Sequence, residues 1–146
     1  MIRAVLDANV LVSAAIKREG KPNQIISRAV SEFTWLTSEF VLAETAEVLP
    51  RRHIQMKYGK WVTPAHQAAF LATARAMAEM VNVQTRLTAV PKDVDDNPVL
   101  ACAVDGRADY LVTGDPDLLA LKVFAAIKIV TPDQFLKVLD VERTKR

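Results

Sequence analysis

The chain has 146 residues, of which 51% are hydrophobic and 25% are charged, and only 4 are glycines. This composition excludes a disordered chain, and the length fits one domain over residues 1–146. The single cysteine, Cys102, excludes a disulfide framework, and the net charge of +2 is too small to indicate nucleic-acid binding by itself. No run of about 18 apolar residues predicts a membrane span. Because Asp7 and Asn9 interrupt the apolar N-terminal run, we expect no signal peptide, and the lack of a disulfide framework favours a cytoplasmic protein.

Apolar runs and helix punctuation predict alternating strands and helices. Residues 2–6 are nearly all apolar, as in a buried parallel strand. Ser38 and the pair Thr63-Pro64 are typical helix starts, whereas Pro50 is a helix stop. In chain order, the predicted elements are a strand at 2–6, helices at 9–16 and 22–33, a strand at 34–37, helices at 39–49 and 65–80, a strand at 81–84, a helix at 96–104, a strand at 109–113, a helix at 115–121, a strand at 127–130 and a helix at 132–139.

This alternation predicts the α/β class, with right-handed crossovers between parallel strands. We expect a three-layer α/β/α arrangement around a central parallel sheet of about four to five strands. In such sheets, ligands bind beyond the carboxyl ends of the strands.

Four acidic residues stand where they can meet at that edge. Asp7 ends the first strand, Asp115 follows the strand that ends near Thr113, and Asp96 opens a helix. Glu44 lies within a helix, on an otherwise apolar face where an uncompensated carboxylate would be costly. The sequence therefore predicts one shared anionic site.

A divalent cation would explain such a cluster. Two carboxylates about 4 Å apart repel by roughly 4 kcal/mol at an effective dielectric constant of about 20. An all-oxygen set of ligands favours Mg²⁺ or Mn²⁺ over zinc. Each residue also has a simpler interpretation, since Asp7, Asp96, Asp115 and Asp117 could all serve as helix N-caps.

A basic stretch with interleaved aromatic residues follows Pro50. It could contact phosphates, or it could be the solvated face of a helix. The cationic residues of this stretch are Arg51, Arg52, His53, Lys57 and Lys60, and the aromatic residues are Tyr58 and Trp61.

The acidic residues lie in segments that resemble the PIN-domain nucleases, in particular the VapC-like toxins of type II toxin–antitoxin pairs. The matching segments, in family order, are LDANVLVSA, SEFVLAETAEVL, DVDDNPVLACAVDGRADYLVTGD and PDLL. The resemblance implies that Asp7, Glu44, Asp96 and Asp115 form a catalytic, metal-binding quartet, with Asp96 preferred over Asp95. It further implies that Asn9, Ser13, Thr113 and Asp117 support the metal ligands from a second layer.

By this resemblance the protein is a Mg²⁺- or Mn²⁺-dependent endoribonuclease that leaves a 5′-phosphate and a 3′-hydroxyl. Arg51, Arg52, Lys57 and Lys60 are the candidate RNA-binding residues. A small antitoxin protein is the expected partner, and a homodimer is plausible for this family.

Three other hypotheses stay open. A protein-interaction module would lack metal-dependent cleavage, and a PIN nuclease could act in RNA processing rather than as a toxin. A phosphohydrolase of the haloacid dehalogenase type is disfavoured, since it needs two aspartates where this chain has Asp7-Ala8-Asn9.

Overall fold

The computed structural model describes residues 1–86 and 96–145, and describes residues 96 and 97 by their backbone alone. These residues form six strands and eight helices. In chain order they are β1 (Ile2–Leu6), α1 (Ala8–Ile16), α2 (Lys21–Ser27), β2 (Phe33–Thr37), α3 (Glu39–Val48), α4 (Arg52–Tyr58), α5 (Pro64–Met77), β3 (Glu79–Met80), α6 (Asp96–Asp105), β4 (Tyr110–Val112), α7 (Pro116–Leu121), β5 (Val123–Phe124), β6 (Ile127–Val130) and α8 (Pro132–Thr144).

One sheet with the strand order β3-β2-β1-β4-β6-β5 runs through the molecule. All neighbouring strands are parallel except β5 and β6, which are antiparallel. The predicted α/β class with a central, mostly parallel sheet is confirmed. The sheet has six strands rather than the predicted four to five, because β5 has only two residues and no apolar run of its own.

Helix starts predicted from capping residues are confirmed. The Ser38 hydroxyl accepts a hydrogen bond from the Val41 N–H at the start of α3, and Thr63 does the same for the N–H of His66 in α5. Thr131 and Gln134 form a capping box that begins α8. Such side chains satisfy amide groups that the helix itself leaves without partners.

Two helix ends were predicted wrongly. The helix expected over 22–33 ends at Ser27, and the chain then turns through Val30, which has a φ of 72°. The helix expected over 65–80 ends at Met77, because Glu79 and Met80 pair with the end of β2. The third strand therefore lies before the predicted range 81–84, where tertiary pairing overrides the helical pattern.

Helices cover both faces of the sheet. On one face, the Phe135 ring of α8 packs edge-on against Phe33 at 5.1 Å and lies 5.6 Å from the Tyr110 ring. Side chains alternate along β2, so Leu36 points to the opposite face from Phe33. There the end of α6 approaches closely, because a Cβ added to Gly106 would lie 3.1 Å from Leu36 Cδ1. This arrangement is the predicted three-layer one.

A second, smaller apolar cluster lies apart from the main core and holds α4. Its buried members are Val12, Ala15, Ile16, Leu49, Ile54 and Val62. Ile54 is the only buried residue of α4, so this helix is attached to the rest of the molecule by few apolar contacts.

No helix in residues 1–86 and 96–145 is long and apolar enough to cross a membrane.

Candidate active site

The two central strands end side by side. Leu6 of β1 pairs with Val112 of β4, and the Asp7 N–H donates to the Val112 carbonyl at 2.9 Å. The residues that follow each strand, Asp7 and Thr113, therefore meet at the carboxyl edge of the sheet. This is the edge at which ligands bind in open parallel sheets.

Asp7 is a buried carboxylate that accepts three hydrogen bonds. It is only 5% exposed. Its Oδ1 accepts from the Ala8 N–H at 2.8 Å, and its Oδ2 accepts from Thr113 Oγ1 at 2.8 Å and Asn9 Nδ2 at 3.1 Å. Burial raises the pKa of Asp7, and the nearby Asp115 charge raises it further, although these hydrogen bonds partly offset the effect.

Asn9 and Thr113 connect the two loops that carry the acids. Asn9 Oδ1 accepts from the Gly114 N–H at 3.0 Å, and Thr113 Oγ1 accepts from the Asp115 N–H at 3.0 Å. Thr113 is fully buried. Asn9 and Thr113, two of the residues predicted to support the metal ligands, therefore fix Asp7 and the backbone before Asp115 relative to each other.

Asp7 and Asp115 are also helix caps. Asp7 caps α1 through the Ala8 N–H, and Asp115 Oδ1 caps α7 by accepting from the Asp117 N–H at 2.9 Å. A carboxylate accepts about four hydrogen bonds, so capping leaves acceptor sites for another ligand. The exposed side chain of Asp117 is not part of this contact.

A cavity of about 550 Å³ opens at this edge of the sheet. Three of the four predicted acids, Asp7, Glu44 and Asp115, line it together with Asn9 and Ser13. Glu44 reaches it from α3, which packs against α1. The α6 helix begins at Asp96, but the side chain of Asp96 lies outside the described residues, as does Asp95.

Residues 3–117 match the family model of the PIN domain, which is more than half of the chain. The chain belongs to the PIN domain family. The resemblance to PIN-domain nucleases predicted from the four sequence segments is thereby confirmed at the level of the family. Members of this family are generally nucleases, a class of hydrolase.

This PIN domain is also similar to one other protein sequence and to two solved structures. It is 27% identical to the uncharacterized protein MJ1680 of Methanocaldococcus jannaschii, over 93% of this chain and 90% of the relative. A crystal structure of VapBC2 from Rickettsia felis, bound to a DNA fragment from their promoter, matches with a TM-score of 0.61 and 14% identity, over 89% of this chain and 98% of that chain. PAE2754 from Pyrobaculum aerophilum matches with a TM-score of 0.59 and 16% identity, over 96% of this chain and 90% of that chain. At these identities the two structures show the fold alone.

The donor set of this PIN domain fits a hard divalent cation. All three described acids offer oxygen atoms, the ligands that Mg²⁺ and Mn²⁺ prefer. A cation would also compensate the burial of the Asp7 carboxylate. Among the described side chains, which leave out Asp96, no three of His, Cys, Asp and Glu lie close enough together to bind one ion.

The predicted RNA-binding residues lie outside this cavity. Arg51, Arg52, Lys57 and Lys60 are exposed and do not line it, and Lys57 Nζ lies 5.5 Å from the centre of the Tyr58 ring. Their α4 neighbours His53, Ile54 and Tyr58 form the wall instead.

The sequence did not predict that Lys17 and His53 line this cavity. His53 was assigned only to the basic stretch, and it is exposed, but it also lines the acids' cavity. Spacing along α4 gave no signal for His53, because side chains on one helix face are three or four residues apart, whereas Ile54 and Tyr58 lie one and five residues from it. Lys17 also had no local signal, because only the packing of α4 against the end of α1 places it there.

Cys102 packs as a small buried residue. It is fully buried in α6, and burial raises the pKa of its thiol to about 11. The thiol is therefore neutral at pH 7 and is unsuited to act as a nucleophile.

Proposed function

We propose that this PIN domain is a Mg²⁺- or Mn²⁺-dependent endoribonuclease and the toxin of a toxin–antitoxin pair, with all 146 residues in one nuclease domain. The observation that carries the proposal is the cavity at the carboxyl edge of the sheet, which Asp7, Glu44 and Asp115 line together. Membership in a family of nucleases supports the same reaction class.

The proposed metal ligands are Asp7, Asp96 and Asp115, with Glu44 completing the set or positioning the attacking water. When bound, the cation supplies positive charge that stabilises the charge developing on the phosphate and on the leaving oxygen. Thr113 and Asn9 hold Asp7 in one orientation through their hydrogen bonds to its Oδ2. Such supporting contacts keep ligands in productive positions. Ser13, which also lines the cavity, is proposed to orient water, and Asp117 to support Asp115.

The proposed substrate is RNA, cut to a 5′-phosphate and a 3′-hydroxyl. The cations in and beside α4, Arg51, Arg52, Lys57 and Lys60, are proposed to attract the backbone from the rim of the cavity. They are exposed and adjoin a wall of the acidic site, which suits long-range attraction more than contact with the scissile phosphate.

The proposed partner is a small antitoxin that inserts a basic side chain among the carboxylates, and a homodimer is proposed as the toxin's own assembly. The fold likeness to VapBC2, which was crystallised with promoter DNA, supports a toxin–antitoxin role. A basic side chain there would neutralise the acids as a metal ion would.

Cleavage of labelled single-stranded RNA with Mn²⁺ or Mg²⁺ tests the activity. We expect cutting that EDTA abolishes and that the Asp7→Asn, Asp96→Asn double variant lacks. A matched pair separates the site from general charge: Glu44→Gln should reduce cutting, whereas Glu47→Gln, on an exposed position of the same helix, should not.

Other outcomes point to the other hypotheses. Metal binding without RNA cleavage would direct the search to another substrate. Neither metal binding nor cleavage would overturn the proposal and favour a protein-interaction module. Cleavage that no co-expressed antitoxin inhibits would favour RNA processing over a toxin.

A further inference from the structure

A second cavity adjoins the acidic one. It has a volume of about 640 Å³ and is lined by Ile16, Lys17, Arg18, Glu19 and Trp61. Ile16 and Lys17 line both cavities, so the two meet at the end of α1. A ligand that extends from the acids past this shared end of α1 therefore enters the second cavity.

The Trp61 ring is exposed yet held in place. It is 45% exposed, and its Nε1–H donates to the Ile16 carbonyl at 2.9 Å. The Tyr58 ring packs against it edge-on, with 5.7 Å between ring centres. An indole fixed in this way loses little conformational entropy when a flat apolar group stacks on it.

The charges around Trp61 favour an anion. Lys17 and Arg18 are exposed, and neither forms an ion pair with any residue of the described ranges. Glu19 is the one acid in the lining, so the cavity carries a net positive charge. An aromatic platform beside cations is how proteins bind single-stranded nucleic acid without reading its sequence.

We propose that the second cavity binds a nucleotide next to the scissile phosphate of single-stranded RNA, with its base stacked on Trp61 and its phosphates paired with Lys17 and Arg18. This inference rests on the proposed function for its substrate class. It assigns stacking to Trp61 rather than Tyr58, whose ring lines the acidic cavity and supports Trp61. It also assigns close phosphate contact to Lys17 and Arg18, which follow α1, rather than to the cations in and beside α4.

Tryptophan fluorescence tests the stacking directly. The only other tryptophan, Trp35, is 1% exposed in the core, so quenching by a bound base reports on Trp61. Protein in EDTA, which prevents cleavage, is titrated with an eight-nucleotide oligoadenylate and with an abasic ribose-phosphate chain of the same length. We expect quenching by the oligoadenylate alone.

Affinity measured by anisotropy of labelled oligomers provides the matched comparison. Trp61→Ala should weaken oligoadenylate binding about tenfold and leave abasic-chain binding unchanged, whereas Trp61→Phe should retain most of the affinity. Trp61→Ala also removes the hydrogen bond to the Ile16 carbonyl, so thermal unfolding checks that this variant is folded. Trp61→Phe lacks the same hydrogen bond and therefore controls for its loss. Equal affinities of all three proteins for oligoadenylate would overturn the proposal.

Charge variants test the phosphate contacts. The double variant Lys17→Ala, Arg18→Ala should weaken binding of both oligomers and reduce the slope of log K against log salt by about 1.4. Glu19→Gln should tighten binding. An unchanged slope would overturn the assignment of these two cations.

These measurements need no catalysis. If the protein never cuts RNA, but its fluorescence is quenched and Trp61→Ala weakens binding, nucleotide binding in the second cavity stands and the proposed reaction is rejected. If it cuts RNA and neither effect is seen, the reaction stands and nucleotide binding in the second cavity is rejected.

Discussion

The acidic cavity has two unlike walls. The wall at the sheet edge is tied across two neighbouring strands, because Asp7, Asn9 and Thr113 are hydrogen bonded to one another. The other wall is α4, a seven-residue helix whose only buried residue is Ile54. The groups proposed for chemistry are therefore fixed by the main core, whereas the α4 residues that line the cavity rest on the smaller cluster. Low local stability is common where a ligand must enter.

Truncation of one apolar residue in the main core and of one in α4 should separate global from local stability. Leu111→Ala, in the centre of the sheet, should reduce the free energy of unfolding by about 2–5 kcal/mol, because it leaves a cavity in the main core. Ile54→Ala should cost about 2 kcal/mol or less, since α4 can shift to fill the space. Urea unfolding and amide hydrogen exchange measure both.

The amide hydrogens of α4 should exchange faster in Ile54→Ala than in the wild type, while those of the strands stay protected. Equal losses for the two variants, with α4 and the strands exchanging together, would show that the two walls are one cooperative unit.

Removal of the buried charge at the sheet edge should have the next largest effect. Asp7→Asn should reduce the metal-dependent cleavage rate by about 10²–10³-fold, since the amide keeps a hydrogen-bond acceptor for the Ala8 N–H but loses the negative charge. Rates under single-turnover conditions measure the loss. Asp117→Asn serves as the control, because its contact with Asp115 is made through the backbone N–H and should cost far less.

The sequence predicted the sheet-edge wall and missed the other. Asp7 and Asp115 follow apolar runs that were predicted to be parallel strands, and the parallel-sheet rule then places the two residues at the same edge. The helix caps at Ser38 and Thr63 were equally local signals. Lys17, His53 and Trp61 come together only through the small cluster that packs α4 and the start of α5 against α1. That packing depends on residues far apart in the chain, which no local pattern records.

Removal of the Thr113 hydroxyl tests what holds the sheet-edge wall in place. Thr113→Val removes the donor to Asp7 Oδ2 and the acceptor for the Asp115 N–H at nearly constant volume. We expect a 10- to 100-fold loss of metal affinity or activity, as for other groups that orient ligands. The pKa of Asp7 should rise further, because one of the hydrogen bonds that lower it is lost.

The check is the pH profile of cleavage, whose acid limb should move to higher pH in Thr113→Val. An equal loss of rate at every pH would mean that Thr113 acts through the Asp115 loop rather than through Asp7.

The smallest expected effect is the pH dependence of stability, and its sign distinguishes Asp7 from an acid held by cations. The pKa of Asp7 is raised above 3.8, so the folded protein binds the proton more tightly than the unfolded chain. Metal-free protein should therefore lose stability as the pH rises from 3.8 through the folded pKa, and Asp7→Asn should remove that loss. Glu32 should behave oppositely, because Arg28 and Arg143 lower its pKa to about 2. Its contribution is complete above pH 4.5 and disappears as the pH falls towards 2. Melting temperatures of wild type, Asp7→Asn and Glu32→Gln in EDTA between pH 3 and 8 measure both signs.

At pH values above 6, added Mg²⁺ should raise the melting temperature of the wild type and leave that of Asp7→Asn unchanged. The reason is that a cation that compensates the buried carboxylate binds only the folded state. If Mg²⁺ stabilised both proteins equally, the cation would be bound elsewhere, and the buried charge of Asp7 would need another explanation.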